Sequence, residues 1–332
     1  MFKILSTSVL ILFTLTNSQG CQYEHLVYLS SPPGWASQNN GTTGGNNTQP
    51  ITITTLEDLQ KHLSTPEPKT IIINGTIGEG LSTKIQVNSN KTIIGQNGAL
   101  LKGSFYIKDA QNVIIRNLII EGPGAIDVNG PDCITVDNST NIWLDHLDVY
   151  DGQDGNIDIV NGSNYVTVSW CKFYYTSASI NHKLCTLIGN SDEKIADRGK
   201  LKTTMIYNWW TNGVDSRMPR VRFGQVHVVN NLYTSEGNDY CILAGTEADL
   251  RVEYNIFKNV NEPINLSKHN FTAVSVLKNH FVSTSGNTSG KGQAFNPPYH
   301  VKIIPLNFLE MLIRKHAGAT ITDIQKILGT AT

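Results

Sequence analysis

The stretch Val226-His227-Val228-Val229-Asn230-Asn231-Leu232-Tyr233 places an apolar, β-branched run before two asparagines and a second short apolar pair. Similar stretches begin at Thr204, Leu250 and Val274. Their corresponding asparagines are Asn208, Asn231, Asn255 and Asn279, which are 23, 24 and 24 residues apart. A repeat of this length indicates a solenoid, in which each repeat adds one coil to the structure.

Other short apolar runs precede these repeats at similar spacing, at residues 70–73, 92–94, 113–115, 142–144 and 166–168. Turn residues separate the runs and helix-length amphipathic stretches are few, which disfavours a sheet that alternates with helices. The sequence therefore predicts a right-handed, single-stranded parallel β-helix. We also expect the repeated asparagines, with Asn117 among them, to form a ladder of amides between coils. Ordinary turn asparagines are the alternative.

The longest gap between runs, from Val166 to Thr204, predicts an insertion of polar character at residues 176–200. Solenoids place such insertions on one face, often the binding face.

The composition restricts the partners of this chain. Its 332 residues include 26 Lys and Arg against 27 Asp and Glu, for a formal net charge of −1, and only 16% are charged. The low charged fraction excludes a coiled coil, and the charge balance argues against nucleic acid or an anionic membrane held by bulk charge. A polyanionic ligand would have to meet a local cluster of cations. Nothing indicates an obligate protein partner, so we expect a monomer.

The N-terminus has the features of a secretory signal. Met1-Phe2-Lys3 is positively charged, residues 4–15 are largely apolar, and small residues follow up to Gly20. The apolar stretch is too short to span a bilayer. We expect a signal peptide at 1–20 and one β-helical domain at 21–332, with a buried N-terminal strand as the alternative. Nine Asn-x-Ser/Thr sequons agree with a glycosylated, extracellular protein.

Aspartates cluster between residues 132 and 158. The segment Asp154-Gly155-Asn156-Ile157-Asp158 joins a glycine turn to an apolar run, and Asp132 lies about one coil earlier. Carboxylate oxygens from neighbouring coils suit Ca²⁺, which tolerates irregular geometry. A solvated, aspartate-rich turn is the alternative. Asp145 differs because it directly follows an apolar strand and precedes His146, so we interpret it as a structural hydrogen-bond acceptor.

A cationic cluster follows at Arg217-Met218-Pro219-Arg220-Val221-Arg222. In an extended strand, Arg220 and Arg222 point to the same side. These arginines, joined by Lys183 from the insertion, form either an anion site or a solvated face. A calcium site beside such a cluster would suit a substrate that carries many carboxylates.

Several segments together, in order and at similar spacing, resemble the secreted pectate lyases of polysaccharide lyase family one. They are Gly34-Trp35-Ala36-Ser37, Gly41-Thr42-Thr43-Gly44-Gly45, Trp143-Leu144-Asp145-His146, residues 154–159, residues 187–192 and residues 217–231. The resemblance covers roughly residues 28–319. It implies a β-helical, Ca²⁺-dependent enzyme that cleaves pectate, a chain of α-1,4-linked galacturonates, by β-elimination.

The resemblance also implies roles for individual residues. It assigns Asp132, Asp154 and Asp158 as Ca²⁺ ligands, Arg217 as the catalytic base, and Lys183 and Arg222 as binders of substrate carboxylates. Asp145 and His146 match positions with structural roles.

The chain departs from the family pattern in three places. Gly130 stands where many relatives carry a further aspartate, and Lys183 lies one residue further than usual from Leu187. Residues 321–332 have no clear counterpart.

Elimination removes the C5 proton of galacturonate, α to the carboxylate, and expels the oxygen at C4. Withdrawal of charge by a metal and by cations makes that proton removable.

Three alternatives stay open. A pectin lyase acting on methyl-esterified chains needs no Ca²⁺, which the three aspartates disfavour. A polygalacturonase needs paired carboxylic acids, and no Asp-Asp pair occurs. A non-catalytic pectin-binding β-helix would lack Arg217 or the aspartates.

Overall fold

A computed structural model describes residues 21–46, 48–79, 84–126 and 130–328. The expected signal peptide at 1–20 lies outside the described residues. Within them the chain forms three parallel sheets, called A, B and C below. From β2 to β25, each coil adds one strand to sheet A, then one to sheet B and one to sheet C. The predicted parallel β-helix is therefore confirmed. Its right-handed sense stays a prediction.

Sheet A has ten strands: β1 (Ile51–Ile53), β2 (Lys69–Ile73), β5 (Lys91–Gly95), β8 (Gln111–Arg116), β11 (Thr140–Asp145), β14 (Asn164–Ser169), β17 (Thr203–Ile206), β20 (Gln225–Val229), β23 (Asp249–Glu253) and β26 (Ala273–Leu277). Sheet B has nine: β3 (Thr76–Ile77), β6 (Leu100–Lys102), β9 (Ile119–Glu121), β12 (Asp148–Tyr150), β15 (Lys172–Tyr174), β18 (Trp209–Trp210), β21 (Leu232–Tyr233), β24 (Ile256–Lys258) and β27 (His280–Val282). Sheet C has eight: β4 (Lys84–Gln86), β7 (Ser104–Lys108), β10 (Ile134–Asp137), β13 (Ile157–Val160), β16 (Thr186–Ile188), β19 (Arg220–Val221), β22 (Ile242–Ala244) and β25 (Ile264–Asn265).

Helices are short and lie outside the coil. They are α1 (Leu56–Leu63), α2 (Leu306–His316) and α3 (Gln325–Leu328), with 3₁₀ turns at Cys21–Leu26, Gly34–Ser37 and Ile195–Asp197. Thr55 caps α1 because its side chain accepts a hydrogen bond from the Asp58 backbone N–H. No described helix is long and apolar enough to cross a membrane.

The interior of the coil is filled by side chains that alternate inward along each strand. Under sheet B these side chains form one aromatic stack, in which Tyr233 lies 4.6 Å from Trp210 and 4.3 Å from Phe257 between ring centroids. Phe173 and Phe281 extend the stack at its two ends. Because each ring repeats at the spacing of the coils, the same register that pairs the strands also stacks the rings.

The asparagine ladder forms at the turn from sheet A to sheet B. Asn231 is fully buried, and its Oδ1 accepts from the backbone N–H of Asn208 at 2.8 Å. Its Nδ2 donates to the Met205 carbonyl and to Asn255 Oδ1, each at 2.9 Å. Asn279 continues the same pattern below Asn255. The ladder thus satisfies backbone groups that the turn would otherwise leave buried and unpaired.

Asn117 was wrongly expected to belong to this ladder. The strand register places it opposite His146, one residue before the ladder position, which Leu118 occupies. With a φ of 52° it belongs instead to a column of left-handed residues at the same turn. Its side chain bonds the C-terminal tail, since its Oδ1 accepts from Ile321 N–H at 2.9 Å.

We expect Asn231→Leu to lower the free energy of unfolding by about 3–5 kcal/mol, because it leaves several buried backbone groups without partners at about 1–3 kcal/mol each. Denaturant unfolding followed by circular dichroism measures the change. Asn97→Leu, at an exposed turn, is the matched control and should change stability little. Equal stability of the two variants would mean that the ladder contributes nothing.

The predicted single insertion at 176–200 is wrong in form. Strand β16 (Thr186–Ile188) runs through its middle, so the extra residues make two loops at opposite ends of that strand. The first leads from sheet B into sheet C, and the second, with its 3₁₀ turn, leads back to sheet A. The sequence missed this because β16 has only three residues.

Candidate functional site

Four of the six predicted site residues lie in the loops that enter sheet C, whereas Asp158 lies on β13 and Arg222 follows β19. Asp132, Asp154, Lys183 and Arg217 lie on four successive coils, just before β10, β13, β16 and β19. Backbone bonds hold these loops in step: Cys133 N–H donates to the Gly155 carbonyl, and Thr186 N–H donates to the Arg217 carbonyl. Residues up to 85 positions apart in sequence therefore form one row along the edge of sheet C.

Asp132 is a buried carboxylate with one satisfied oxygen. Its Oδ2 accepts from the Thr135 hydroxyl at 2.9 Å, whereas its Oδ1 is buried and has no hydrogen-bond partner among the described residues. Burial, reinforced by the negative charge of Asp154, raises the pKa of Asp132 to about 7. Gly155 permits this approach, since a Cβ there would lie 3.0 Å from Asp132 Oδ1.

Asp158 and Asp154 complete the acidic group. Asp158 projects from the outer face of β13, and burial, followed by the charge of Asp132, raises the pKa of its carboxyl well above the usual range. Asp154 is more exposed, with 43% of its side chain accessible, and its Oδ1 lies 2.8 Å from His182 Nε2. All three predicted aspartates therefore act on one another electrostatically.

The oxygen ligands of the acidic group are suited to binding a divalent cation. In the part of the chain that the structure describes, no three His, Cys, Asp or Glu side chains converge closely enough to enclose a metal by themselves. However, an unpartnered buried oxygen and mutually repelling carboxylates are features that a bound divalent cation relieves. Gly130 carries no carboxylate, and the side chain of Gln153 fills the space that a Cβ there would occupy.

Arg217 faces these carboxylates. It is half-buried and adopts a left-handed backbone, with a φ of 59°, before the cis peptide bond of Met218-Pro219. Its positive charge counteracts the raised pKa values of Asp132 and Asp158, which places the guanidinium within their field. Among the described residues its guanidinium makes no hydrogen bond or ion pair within 4 Å, so it is open toward a ligand.

Lys183 and Arg222 flank this centre, and each has an acidic partner that sequence reasoning missed. Lys183 Nζ lies 3.4 Å from Asp215 Oδ1. Arg222 donates from Nε to Asp192 Oδ1 at 2.6 Å and from Nη1 to the Gly189 carbonyl at 2.7 Å. Burial opposes ionisation of Asp192, but its bonds from Arg222 and Thr246 outweigh this and lower its pKa. The sequence does not indicate either pairing, because the contacts depend on which loops are adjacent.

Arg220 adds a fourth cation beside Arg217, Lys183 and Arg222. It lies on β19 opposite Leu187, which in turn lies opposite Asp158, whereas Val221 points into the core. Its Nε is buried without a partner among the described residues. Burial, followed by the charge of Arg222, lowers its pKa. The side chains of Arg220 and Arg222 therefore both lie on the outer side of sheet C, as the alternation predicts.

Asp145 and His146 lie away from this row, in a buried network on the outer side of sheet A. Asp145 is fully buried and accepts from Ser169 Oγ at 2.5 Å and from Arg116 Nε at 2.9 Å. His146 Nδ1 lies 2.8 Å from the same carboxylate. Burial opposes ionisation of Asp145, yet His146 and Arg116 hold its pKa below the ordinary value. The structural interpretation of both residues agrees with this geometry.

Taken together, the molecule is a parallel β-helix that carries an acidic group beside a row of cations on one outer face. A solenoid with these cations on one outer face has the chemistry to bind a polymer that carries many carboxylates. The comparisons with known proteins assign the family.

A family model described as Pectate lyase matches residues 8–296. A pectate lyase of Emericella nidulans is 35% identical over 273 residues, covering 79% of this chain and 80% of that protein. A pectate trisaccharide-lyase of Thermotoga maritima is 41% identical over 202 residues, covering 58% of this chain and 53% of that protein. The solved pectate lyase of Bacillus sp. N165, in complex with trigalacturonate, superimposes with a TM-score of 0.75 at 27% identity, over 88% of this chain and all of that one. The chain belongs to the pectate lyase family.

Proposed function

We propose that this protein is a secreted, Ca²⁺-dependent pectate lyase that cleaves polygalacturonate by β-elimination. The observation that carries the proposal is the placement of Arg217 against Asp132 and Asp158, with Arg222 on the same coil as Arg217 and Lys183 on the adjoining one. Family membership supports the substrate and the reaction. A monomer is sufficient, because one chain supplies every residue named.

In this proposal Asp132, Asp154 and Asp158 hold Ca²⁺. The bound metal would supply charge neutralisation at a substrate carboxylate, which favours removal of the adjacent proton. The open Oδ1 of Asp132 and the raised pKa values of Asp132 and Asp158 support this assignment.

Lys183 and Arg222 hold substrate carboxylates through charge-assisted hydrogen bonds. Asp192 supports this role for Arg222, because its bond to Nε and the Gly189 bond to Nη1 fix the plane of the guanidinium. A fixed donor loses little conformational freedom on binding a carboxylate.

Arg217 takes the C5 proton in this scheme. The electron pair of the broken C5–H bond forms the C4–C5 double bond. The C4–O bond to the leaving chain breaks, its electron pair stays on that oxygen, and the oxygen takes a proton from water. A guanidinium ordinarily keeps its proton, so its use as a base requires surroundings that disfavour another positive charge. The presence of two further arginines, Arg220 and Arg222, beside Arg217 is the feature that supports this part of the proposal. The product would be a chain with an unsaturated uronate at its new end.

The proposal is tested by the ultraviolet absorbance of unsaturated uronate ends released from polygalacturonate. We expect the signal to appear with added Ca²⁺, to vanish with excess chelator and to return when Ca²⁺ is restored. Reducing ends without this absorbance would mean hydrolysis. Binding of pectate without any product would mean a non-catalytic pectin-binding protein, and preference for methyl-esterified chains without Ca²⁺ would mean a pectin lyase.

We also propose secretion through the segment 1–20 and glycosylation at exposed sequons. The side chains of Asn40, Asn46 and Asn74 are exposed and make no hydrogen bond among the described residues. By contrast, Asn161 donates to Asp137 Oδ1 and Asn287 donates to the Ile264 carbonyl, each at 2.8 Å. A glycan is compatible with the first group, whereas in the second it would break these bonds.

A further inference from the structure

A second cationic feature lies on the outer face of sheet C, on the N-terminal side of the acidic group. It consists of Tyr106 with Lys84 and Lys108, whose ammonium groups lie 5.4 and 5.8 Å from the centre of the tyrosine ring. Both lysines are exposed and the ring is half-buried. Among the described residues neither ammonium forms an ion pair with a carboxylate, so both are available to an anion.

The strand register aligns this feature with the proposed catalytic row. Tyr106 on β7 pairs with Thr135 on β10, and Thr135 pairs with Asp158 on β13. All three side chains therefore project from the same outer row, and Tyr106 lies two coils from Asp158, or about 10 Å. A polymer lying along this face from Arg217 past Asp158 would meet Tyr106 next.

The hydroxyl group of Tyr106 holds the ring in place. Its hydroxyl donates to Asp137 Oδ2 at 3.0 Å, and Asn161 fixes the other oxygen of that carboxylate at 2.8 Å. On the same strand the Ser104 hydroxyl donates to the Asp132 carbonyl at 2.6 Å, which ties β7 to the acidic group. Asp137 offsets part of the positive charge, but it is engaged by Tyr106 and Asn161, whereas the two ammonium groups face solvent.

A ring with two exposed ammonium groups beside it has the chemistry that recognises a uronate. The C–H face of a sugar packs on an aromatic ring, and the cations bind its carboxylate. The existing contacts of the lysines with the ring are weak at an exposed position and yield readily to a carboxylate. We propose that Tyr106, Lys84 and Lys108 form an additional subsite for one galacturonate residue of the substrate chain. This inference rests on the proposed function and adds a further contact to the substrate.

The test is a comparison of substrates of different length. For Tyr106→Ala we expect KM on polygalacturonate to rise about three- to tenfold with kcat within about twofold, and KM on trigalacturonate to stay unchanged. Lys84→Gln combined with Lys108→Gln should raise KM on the polymer about tenfold and weaken its dependence on salt. Equal effects on trimer and polymer, or none on the polymer, would overturn the subsite.

A matched control exists elsewhere on the same molecule. Lys278 Nζ lies 5.1 Å from the ring of Tyr254 and donates to its hydroxyl at 2.8 Å, at the turn between sheets A and B. Tyr254→Ala and Lys278→Gln remove the same chemistry away from sheet C, so both should leave KM unchanged. A rise equal to that of the Tyr106 variant would show that the effect is not specific to this row.

Failure of the subsite can be told from failure of the proposed function by affinity electrophoresis in polygalacturonate gels. If the wild-type protein releases no unsaturated ends, retardation still reports binding. Weaker retardation of the Tyr106 and lysine variants than of the Tyr254 control then supports the subsite, and unchanged retardation overturns it.

Discussion

Replacing Arg217 with lysine is expected to lower kcat on polygalacturonate by about 1,000-fold, within the range that loss of a general base produces. Lysine keeps a positive charge and tolerates the same backbone, but it does not place a nitrogen where the guanidinium lies. KM should change less than about threefold, because Lys183 and Arg222 still hold the substrate carboxylates. Initial rates of ultraviolet-absorbing product over a range of polymer concentrations separate the two parameters.

The control for this variant is Arg198→Lys, at an exposed arginine whose guanidinium pairs with Glu247 at 2.6 Å. It should turn over as the wild type does. Near-normal turnover by Arg217→Lys would remove Arg217 from the role of base, whereas loss of the folded circular-dichroism signal would show damage to the loop. Arg217→Gln, which keeps a planar polar end without the charge, distinguishes loss of the base from loss of folding.

Asp158→Asn is expected to abolish the response to Ca²⁺, with a loss of at least about 100-fold in Ca²⁺ affinity and a matching loss of activity at fixed Ca²⁺. It removes one of three carboxylates while keeping the shape of the side chain. Titration calorimetry with Ca²⁺ alone gives the affinity without reference to turnover. Asp239→Asn, at an exposed carboxylate on a nearby loop, should bind Ca²⁺ as the wild type does, and equal affinity of both variants would contradict the proposed ligand set.

The same variant should have the opposite effect on the metal-free protein. The pKa of Asp132 rises from an ordinary value of 3.8 to about 7 on folding, so between about pH 4 and pH 7 the folded state binds more protons than the unfolded state. The contribution of Asp132 to the free energy of unfolding therefore falls as pH rises through that window. Asp158→Asn removes a repelling charge, so with chelator at pH 8 its Tm should exceed that of the wild type by about 2 °C. A lower Tm would show that these carboxylates do not repel one another.

The repeat in the sequence was sufficient to predict the architecture. A β-branched run, a turn and an apolar pair recur at intervals of 23 and 24 residues. Such a repeat predicts a solenoid in which each interval forms one coil. The ladder was predicted for Asn208, Asn231, Asn255 and Asn279 because position within a coil determines position in the stack. The prediction failed for Asn117, which lies one residue before the ladder position in its coil. Only the pairing of the strands shows this displacement.

The site was harder to derive, since its residues are distributed over several coils. Clusters in the sequence and a family resemblance predicted Asp132, Asp154, Asp158, Lys183, Arg217 and Arg222. The structure places four of them in the loops that enter sheet C, with Asp158 on β13 and Arg222 just after β19. The partners Asp192 and Asp215 were not found, nor was the group around Tyr106. Each belongs to a coil whose neighbours are known only when the strand register is known.

The sequence by itself therefore determined the period of the coil, the residues that face its core and the chemical types available on its surface, because these follow from local alternation and spacing. Only the tertiary structure decided which loops lie side by side, which carboxylate oxygen is left without a partner and which cations share a face. The physical reason is that in a β-helix residues about one coil apart lie only about 4.8 Å apart in space. Contacts across coils depend on the pairing of strands, and a shift of one residue in that pairing moves a side chain to the opposite face.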